Sequence, residues 1–228
     1  MESTMKIRSL SIHRGVDKLF SNLDLDFGPG RNPVAIMGPS GSGKSTLVYV
    51  LSRLENALDS VKTLGEVYLD GKLLVGWDLW EYRKKVGVCL QTPVVFPGSI
   101  EHNALLGAKC KFNLPASKAK SLCQELLEQV GLWEEVKNDL KTKASELSVG
   151  QQQRLCLART LGVDPKYLLL DEPTAALDAK STHCIERILE ELRSRMGVLI
   201  VTHQKLQAQR MKAQIFELDP DTKTFMAI

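Results

Sequence analysis

The sequence predicts an α/β fold: a parallel core sheet, an antiparallel β subdomain and an inserted α-helical lobe. Three observations predict it. Four short runs, Val34-Ala35-Ile36-Met37, Val86-Gly87-Val88-Cys89-Leu90, Tyr167-Leu168-Leu169-Leu170 and Val198-Leu199-Ile200-Val201, are almost wholly apolar, the pattern of strands buried on both faces. Helical apolar spacing follows the first run (Leu47/Val48/Val50/Leu51/Leu54) and separates the third from the fourth (Ile185/Ile188/Leu189/Leu192/Met196), as parallel strands require. Between Gln91 and Pro165 the strand signal nearly vanishes.

Taken in order, Ile7/Leu10/Ile12 and Leu23/Leu25/Phe27 alternate on either side of the polar, glycine-containing stretch 13–18, which predicts an antiparallel pair. A third strand, Gly65-Glu66-Val67-Tyr68-Leu69-Asp70, ends at an Asp70-Gly71 turn and joins that sheet. In the helical stretch, Ala119/Leu122/Cys123/Leu126/Leu127/Val130 closing at Gly131 reads as an amphipathic helix with a C-terminal glycine. We therefore expect a single domain over 1–228. Its catalytic core spans 1–91 and 165–228, with the antiparallel sheet at the N-terminus, and its helical lobe spans 92–164.

Composition narrows the class. With 43% hydrophobic and 25% charged residues in 228, the chain has the balance of a folded, water-soluble protein. Thirty Lys and Arg against 27 Asp and Glu leave a charge of +3, spread along the chain, which names no partner. The five cysteines form no C-x-x-C pair, which argues for packed thiols in a reducing compartment and against a zinc site or disulfide framework. No apolar run approaches the roughly 20 residues of a membrane span. No signal peptide is visible at the start.

Gly38-Pro39-Ser40-Gly41-Ser42-Gly43-Lys44-Ser45 fits G-x-x-x-x-G-K-[ST] between a buried strand and a helix, which is the context of a P-loop. Glycines let backbone N–H groups wrap a phosphate, and the helix N-terminus adds positive potential. Lys44 reaches the β/γ phosphates and the Ser45 hydroxyl can ligate Mg²⁺. A P-loop needs a second carboxylate for the metal and a group to activate water. Asp171 and Glu172, at the end of a buried strand, supply a metal carboxylate and a base. Ser148 with Gln151 three residues later is a capping-box pattern, and a capped helix N-terminus is an anion site.

Leu147-Ser148-Val149-Gly150-Gln151-Gln152-Gln153-Arg154, then Asp171-Glu172-Pro173-Thr174-Ala175-Ala176-Leu177-Asp178, then Val201-Thr202-His203, follow the P-loop in this order. They resemble the signature, Walker B with D-loop, and switch histidine of ABC-type ATPases, and Gln91 matches that family's Q-loop glutamine. The likeness runs from about Ile7 to about Phe216. It implies a P-loop NTPase fold with a RecA-like core, of the ABC ATPase type, that hydrolyses ATP to ADP and phosphate.

What the resemblance implies for single residues is this. Lys44, Gln91, Glu172 and His203 are catalytic, and Ser45, Gln91 and Asp171 hold Mg²⁺. Gly38, Ser40, Gly41, Ser42, Gly43, Lys44, Ser45, Thr46 and Arg14 bind ATP from one side. Ser148, Gly150, Gln151 and Asp178 bind it from a second copy, so that two cassettes close head to tail on ATP. The chain is expected to lie on the cytoplasmic face of the plasma (inner) membrane, touching it only through transmembrane permease subunits. No nucleic acid partner is expected.

Two positions depart from the family pattern. Val149 stands where signatures carry glycine, and a β-branched residue resists positive φ. His13 and Arg14 precede Gly15 where the family stacks adenine on an aromatic side chain, so an imidazole or guanidinium stack is expected instead.

Within the family, Arg53-Leu54-Glu55-Asn56, Phe96-Pro97-Gly98-Ser99-Ile100 with Asn103, and 202–210 resemble phosphate-import subunits. Cassettes of differing substrates share most of their sequence, so these stretches point to phosphate without deciding it. The loop after Gln91, with Val94, Val95, Phe96 and Ile100, is where the resemblance places the docking cleft for a membrane subunit. The rival reading is a soluble ABC-type ATPase acting on nucleic acid or ribosomes. Against it stand the single cassette, the absence of a heptad tract and the small charge.

Overall fold

Two sheets organise the chain in the computed structural model, which describes residues 3–54, 58–112, 114–175 and 177–228. Glu55, Asn56 and Ala176 of the motifs above lie outside the described residues. In the first sheet β1 (Met5–Arg14) and β2 (Asp17–Phe27) form a hairpin that pairs Ile7 with Leu25 and Ile12 with Phe20. β4 (Val61–Leu69) lies antiparallel to β1 on its other side, four residues longer at its start than the sequence pattern marks. β5 (Lys72–Leu73) returns beside β4 after a turn in which Asp70 and Gly71 both have positive φ (51° and 78°), the geometry of a two-residue hairpin loop.

The second sheet has the order β10-β9-β3-β8-β7-β6. β3 (Val34–Met37), β6 (Val86–Cys89), β7 (Tyr167–Asp171) and β8 (Gly197–Val201) are the four apolar runs, all parallel. β9 (Gln214–Leu218) extends the sheet in parallel beside β3, and β10 (Phe225–Ala227) closes it antiparallel to β9. The sequence reading assigned neither. Gln214 and Glu217 interrupt the apolar run because β9 lies near the sheet edge, where polar side chains reach solvent.

Side chains of the central strands divide by parity between two cores. Ala35, Met37, Leu168, Leu170, Val198 and Ile200 join one core with α3 (Ile100–Lys111), α4 (Ala116–Gln129), α6 (Val149–Leu161) and α7 (Ala179–Leu192). Val34, Ile36, Tyr167, Leu169, Leu199 and Val201 join the other with α1 (Lys44–Leu51), α2 (Leu79–Lys85) and the antiparallel sheet. Burial on both faces explains why these runs carry no polar alternation. Each of the Val, Leu, Ile and Met side chains among them contributes about 1.5–3 kcal/mol.

From β6 to β7 the described residues form helices α3 to α6, with the short α5 (Trp133–Val136), and no strand. α4 ends before Gly131, whose φ of 61° suits a helix C-terminus. α8 (Lys205–Arg210) follows β8.

Three expectations change. Ile100 is buried at the start of α3, where Ser99 caps the helix by accepting from the His102 N–H, so it is core and no part of an exposed patch. Cys110 is exposed and does not pack. Val149 is the first residue of α6 and is not among the residues with positive φ, so the backbone objection to valine there lapses.

Candidate active site

β3 delivers the chain to the P-loop at Met37, and α1 begins at Lys44. The turn between depends on left-handed glycines. Gly41 has φ 76°, and Gly43 has φ 92° with no room for a side chain, since a Cβ there would lie 2.8 Å from that of Leu19. Gly43 is also the N-cap of α1 and offers no side-chain cap, so the first N–H groups of the helix are left for an external anion.

Lys44 is only 5% exposed, and its Nζ donates to the Pro39 carbonyl at 2.6 Å and to Ser42 Oγ at 3.5 Å. Burial pulls its pKa below the usual lysine value, against the pull of Glu172 and Asp171. Asp171 ends β7, and its Oδ1 accepts from Ser45 Oγ at 3.1 Å. Its carboxyl is raised above the usual range by burial first and by the Glu172 charge, while Ser45 and Lys44 oppose the shift.

Glu172 follows with φ 43°, a left-handed backbone that costs a non-glycine residue about 1–3 kcal/mol. Its N–H donates to the Val201 carbonyl at 2.9 Å, and its Oε2 stands 2.7 Å from His203 Nδ1. No signal in the sequence marks this strain. Pro173 biases the residue before it toward extended backbone, the opposite of what is found.

Around these groups is a cavity of about 530 Å³ lined by Arg14, Leu19, Gly38, Ser40, Gly41, Gly43, Lys44, Ser45, Thr46, Gln91, Glu172 and His203. Arg14 thus faces the cavity and His13 is not among its lining residues. Ser42 opens instead onto a neighbouring hollow with Pro39 and Lys18.

The remaining predicted residues gather elsewhere. A second cavity of about 640 Å³ is lined by Ser148, Gln151 and Asp178, together with Glu135, Arg154, Lys180, His183 and Arg187 among others, and shares no residue with the first. Ser148 closes the capping box on α6. Its Oγ accepts from the Gln151 N–H at 3.3 Å, while its own N–H donates to Gln151 Oε1 at 2.9 Å. Gly150 is the second residue of α6, and a Cβ there would come 3.0 Å from Ser181 Oγ. Asp178 caps α7, and the Ser181 N–H and hydroxyl hold its carboxyl below the usual range.

Arg154 grips Glu135 through both terminal nitrogens (2.8 and 3.0 Å) and lowers its pKa, helped by Gln151. Sequence reading missed this pair because its members are 19 residues apart on different helices. α6 is also tied to the residue before Gln91: Gln153 Nε2 donates to the Leu90 carbonyl at 3.3 Å.

Among known proteins, the sequence profile of the ABC transporter family matches residues 20–175. "Phosphate import ATP-binding protein PstB 2" of Mycobacterium tuberculosis (strain CDC 1551 / Oshkosh) is 42% identical over 184 residues, 80% of this chain and 67% of that protein. The same named protein from strain ATCC 25618 / H37Rv matches equally. Of solved structures, the ATP-binding cassette MJ0796, in a dimeric post-hydrolysis state bound to ADP and phosphate, superposes with a TM-score of 0.81 at 29% identity. The match covers 97% of this chain and 96% of that one. A bacterial Atm1-family ABC exporter with ATP bound shares the fold, with a TM-score of 0.80 at 22% identity over 98% of this chain and 38% of the exporter chain. With motifs, fold and matched length in agreement, the chain belongs to the ABC transporter family, as one of its ATPase subunits.

Proposed function

We propose that the chain is the ATPase cassette of a phosphate importer, that two copies close head to tail around ATP, and that the cavity at Lys44 is the hydrolytic half of each shared site. One observation carries the reading. A lysine, Ser45, a Glu172–His203 pair and Gln91 line one cavity at the P-loop, with Asp171 buried just behind Ser45, while the capped N-terminus of α6 faces a different cavity. A chain built this way has both halves of a site and needs a second copy to join them.

Arg14 and Leu19 hold the adenine end, the 38–46 loop and α1 N-terminus wrap the phosphates, and Lys44 exchanges the Pro39 carbonyl for the β/γ oxygens. Glu172 orients the attacking water and takes its proton, while His203 holds that carboxylate and senses the γ-phosphate. Ser148, Gly150, Gln151 and Asp178 complete the site from the partner copy through the helix N-terminus and its dipole. Ser45 Oγ and Asp171 Oδ1 are adjacent hard oxygen donors and Gln91 lines the same cavity as Ser45, a set that suits Mg²⁺. Bound there, the ion would neutralise charge on the phosphoryl oxygens.

Phosphate as the solute is supported by the relative's name and identity. Membrane subunits would dock at Phe96, 45% exposed, and Val94, beside a hollow of about 400 Å³ lined by Val95, Phe96, Pro97, Gly98, Lys143 and Ser145. The chain would then sit on the cytoplasmic face of the plasma (inner) membrane through those subunits. No helix in the described residues is long and apolar enough to cross a membrane.

In the test, Glu172→Gln binds ATP normally, loses turnover by about 10²-fold or more and runs as a dimer with ATP on size exclusion. Full turnover would remove Glu172 from its role. Cells lacking the chain are expected to lose uptake of radiolabelled phosphate, and unchanged uptake would remove phosphate as the solute.

A further inference from the structure

Glu172 and His203 meet at 2.7 Å, yet both lie past the ends of their strands. Backbone bonds hold only part of this region: Glu172 N–H to the Val201 carbonyl at 2.9 Å, and Thr202 N–H to the Ile36 carbonyl at 3.1 Å. Beneath them runs a side-chain relay. Gln207, on α8, is fully buried, and its Oε1 accepts from Thr202 Oγ1 at 2.9 Å while its Nε2 donates to Thr174 Oγ1 at 2.8 Å. Thr202 Oγ1 in turn accepts from the Gln204 N–H at 3.1 Å. Thr174 and Thr202 are buried as well.

This placement is specific. Thr174 lies two residues after Glu172, and Thr202 immediately precedes His203, so one amide spans the two segments that carry the pair. An amide suits the position because it donates at one end and accepts at the other, pairing with both buried hydroxyls. The left-handed backbone at Glu172 persists only where its surroundings over-determine it, and the relay supplies that constraint from the C-terminal side.

We propose that Gln207 is a positioning residue for hydrolysis: its amide holds the Glu172 turn against the His203 loop and so sets the carboxylate–imidazole contact. The proposal rests on the roles of Glu172 and His203 given above. Among the described residues the Gln207 side chain hydrogen-bonds to Thr174 and Thr202 and to no residue of the P-loop, so its effect falls on the chemical step and not on nucleotide capture.

Steady-state ATPase assays on the full chain test this. Gln207→Met keeps the length of the side chain without its hydrogen bonds, and it is expected to lower kcat on the order of tenfold, the scale of a small misplacement of reacting groups, with KM and ATP affinity unchanged. Thr174→Val, which cuts the relay at its other end, moves kcat the same way, while Thr174→Ser, which keeps the hydroxyl, restores it. In a His203→Ala background, adding Gln207→Met costs much less than it does alone, because the relay acts partly through that histidine.

Unchanged kcat in Gln207→Met, a loss confined to KM, or equal losses in both backgrounds would overturn the relay. If Gln207→Met does not fold, the Val and Ser variants at Thr174 decide by the same criterion. Full turnover in His203→Ala would overturn the role of His203 and the relay together. A loss there beside full turnover in Gln207→Met would overturn the relay alone.

Discussion

The two cavities of this chain are built on opposite principles. At the P-loop, Gly41, Gly43 and Glu172 all have positive φ, α1 lacks a side-chain cap, and a buried lysine rests on the carbonyl of its own loop. At the signature, Ser148 completes a capping box, Asp178 caps α7, and Arg154 and Glu135 are bidentate partners. The first holds strain and unfinished electrostatics that an anion would complete, whereas in the second the helix caps and the ion pair are already made and, among its described side chains, only Arg154 Nε is buried without a hydrogen-bond partner. On the proposed reading, the P-loop half is thus prepared to change with nucleotide, and the signature half to present a preformed surface.

Variants that exchange these properties should separate the halves. The largest effect is expected at Lys44→Ala, about 10²-fold weaker ATP binding from loss of a charge-assisted contact. Ser148→Arg should leave the ATP affinity of the isolated chain nearly unchanged while blocking the ATP-dependent dimer. Fluorescent-nucleotide titration with size exclusion checks both.

Next come changes of opposite sign with pH. Burial raises the Asp171 carboxyl, so its ionised form is a cost at neutral pH and no cost once protonated. In metal-free buffer Asp171→Asn should therefore raise Tm at pH 7, and the gain should fade as acid protonates the wild type. Glu135, held low by Arg154, contributes stability above its unfolded pKa that is lost as pH falls through its folded value. Glu135→Gln should lower Tm at pH 7 and leave it unchanged in strong acid. The shift is small because that side chain is 38% exposed.

Ser148→Ala removes an N-cap and should cost about 1 kcal/mol, read as Tm. Smallest is Val149→Gly. With Val149 48% exposed and free of positive φ, turnover should not rise, and stability should fall by no more than about 0.5 kcal/mol.

The contrast between the cavities also explains what the sequence could show. The P-loop, the Asp171-Glu172 end of β7 and the Ser148–Gln151 box are local patterns, in which a few neighbouring residues carry the whole physical requirement. The four buried strands were equally plain, because burial on both faces removes polar residues altogether. β9 and β10 were not, since a strand at or next to the sheet edge mixes polar and apolar residues as a loop does. Glu172's left-handed backbone, the Arg154–Glu135 pair and the Gln207 relay depend on contacts across elements, and no local spacing encodes them. Val149 misled for the reverse reason. A rule about positive φ was applied to a residue whose helix gives it ordinary φ.

The central claim is that a working site takes the P-loop of one copy and the signature of another. Mixing two inactive variants tests it most directly. Lys44→Ala and Ser148→Arg are each expected to lack turnover. Neither variant alone can close a site on ATP. A mixed pair joins the intact P-loop of one variant to the intact signature of the other in one of its two sites, so an equimolar mixture should regain turnover on the order of a quarter of wild type. A mixture as inactive as its components, or Ser148→Arg alone at the wild-type rate, would contradict the shared site.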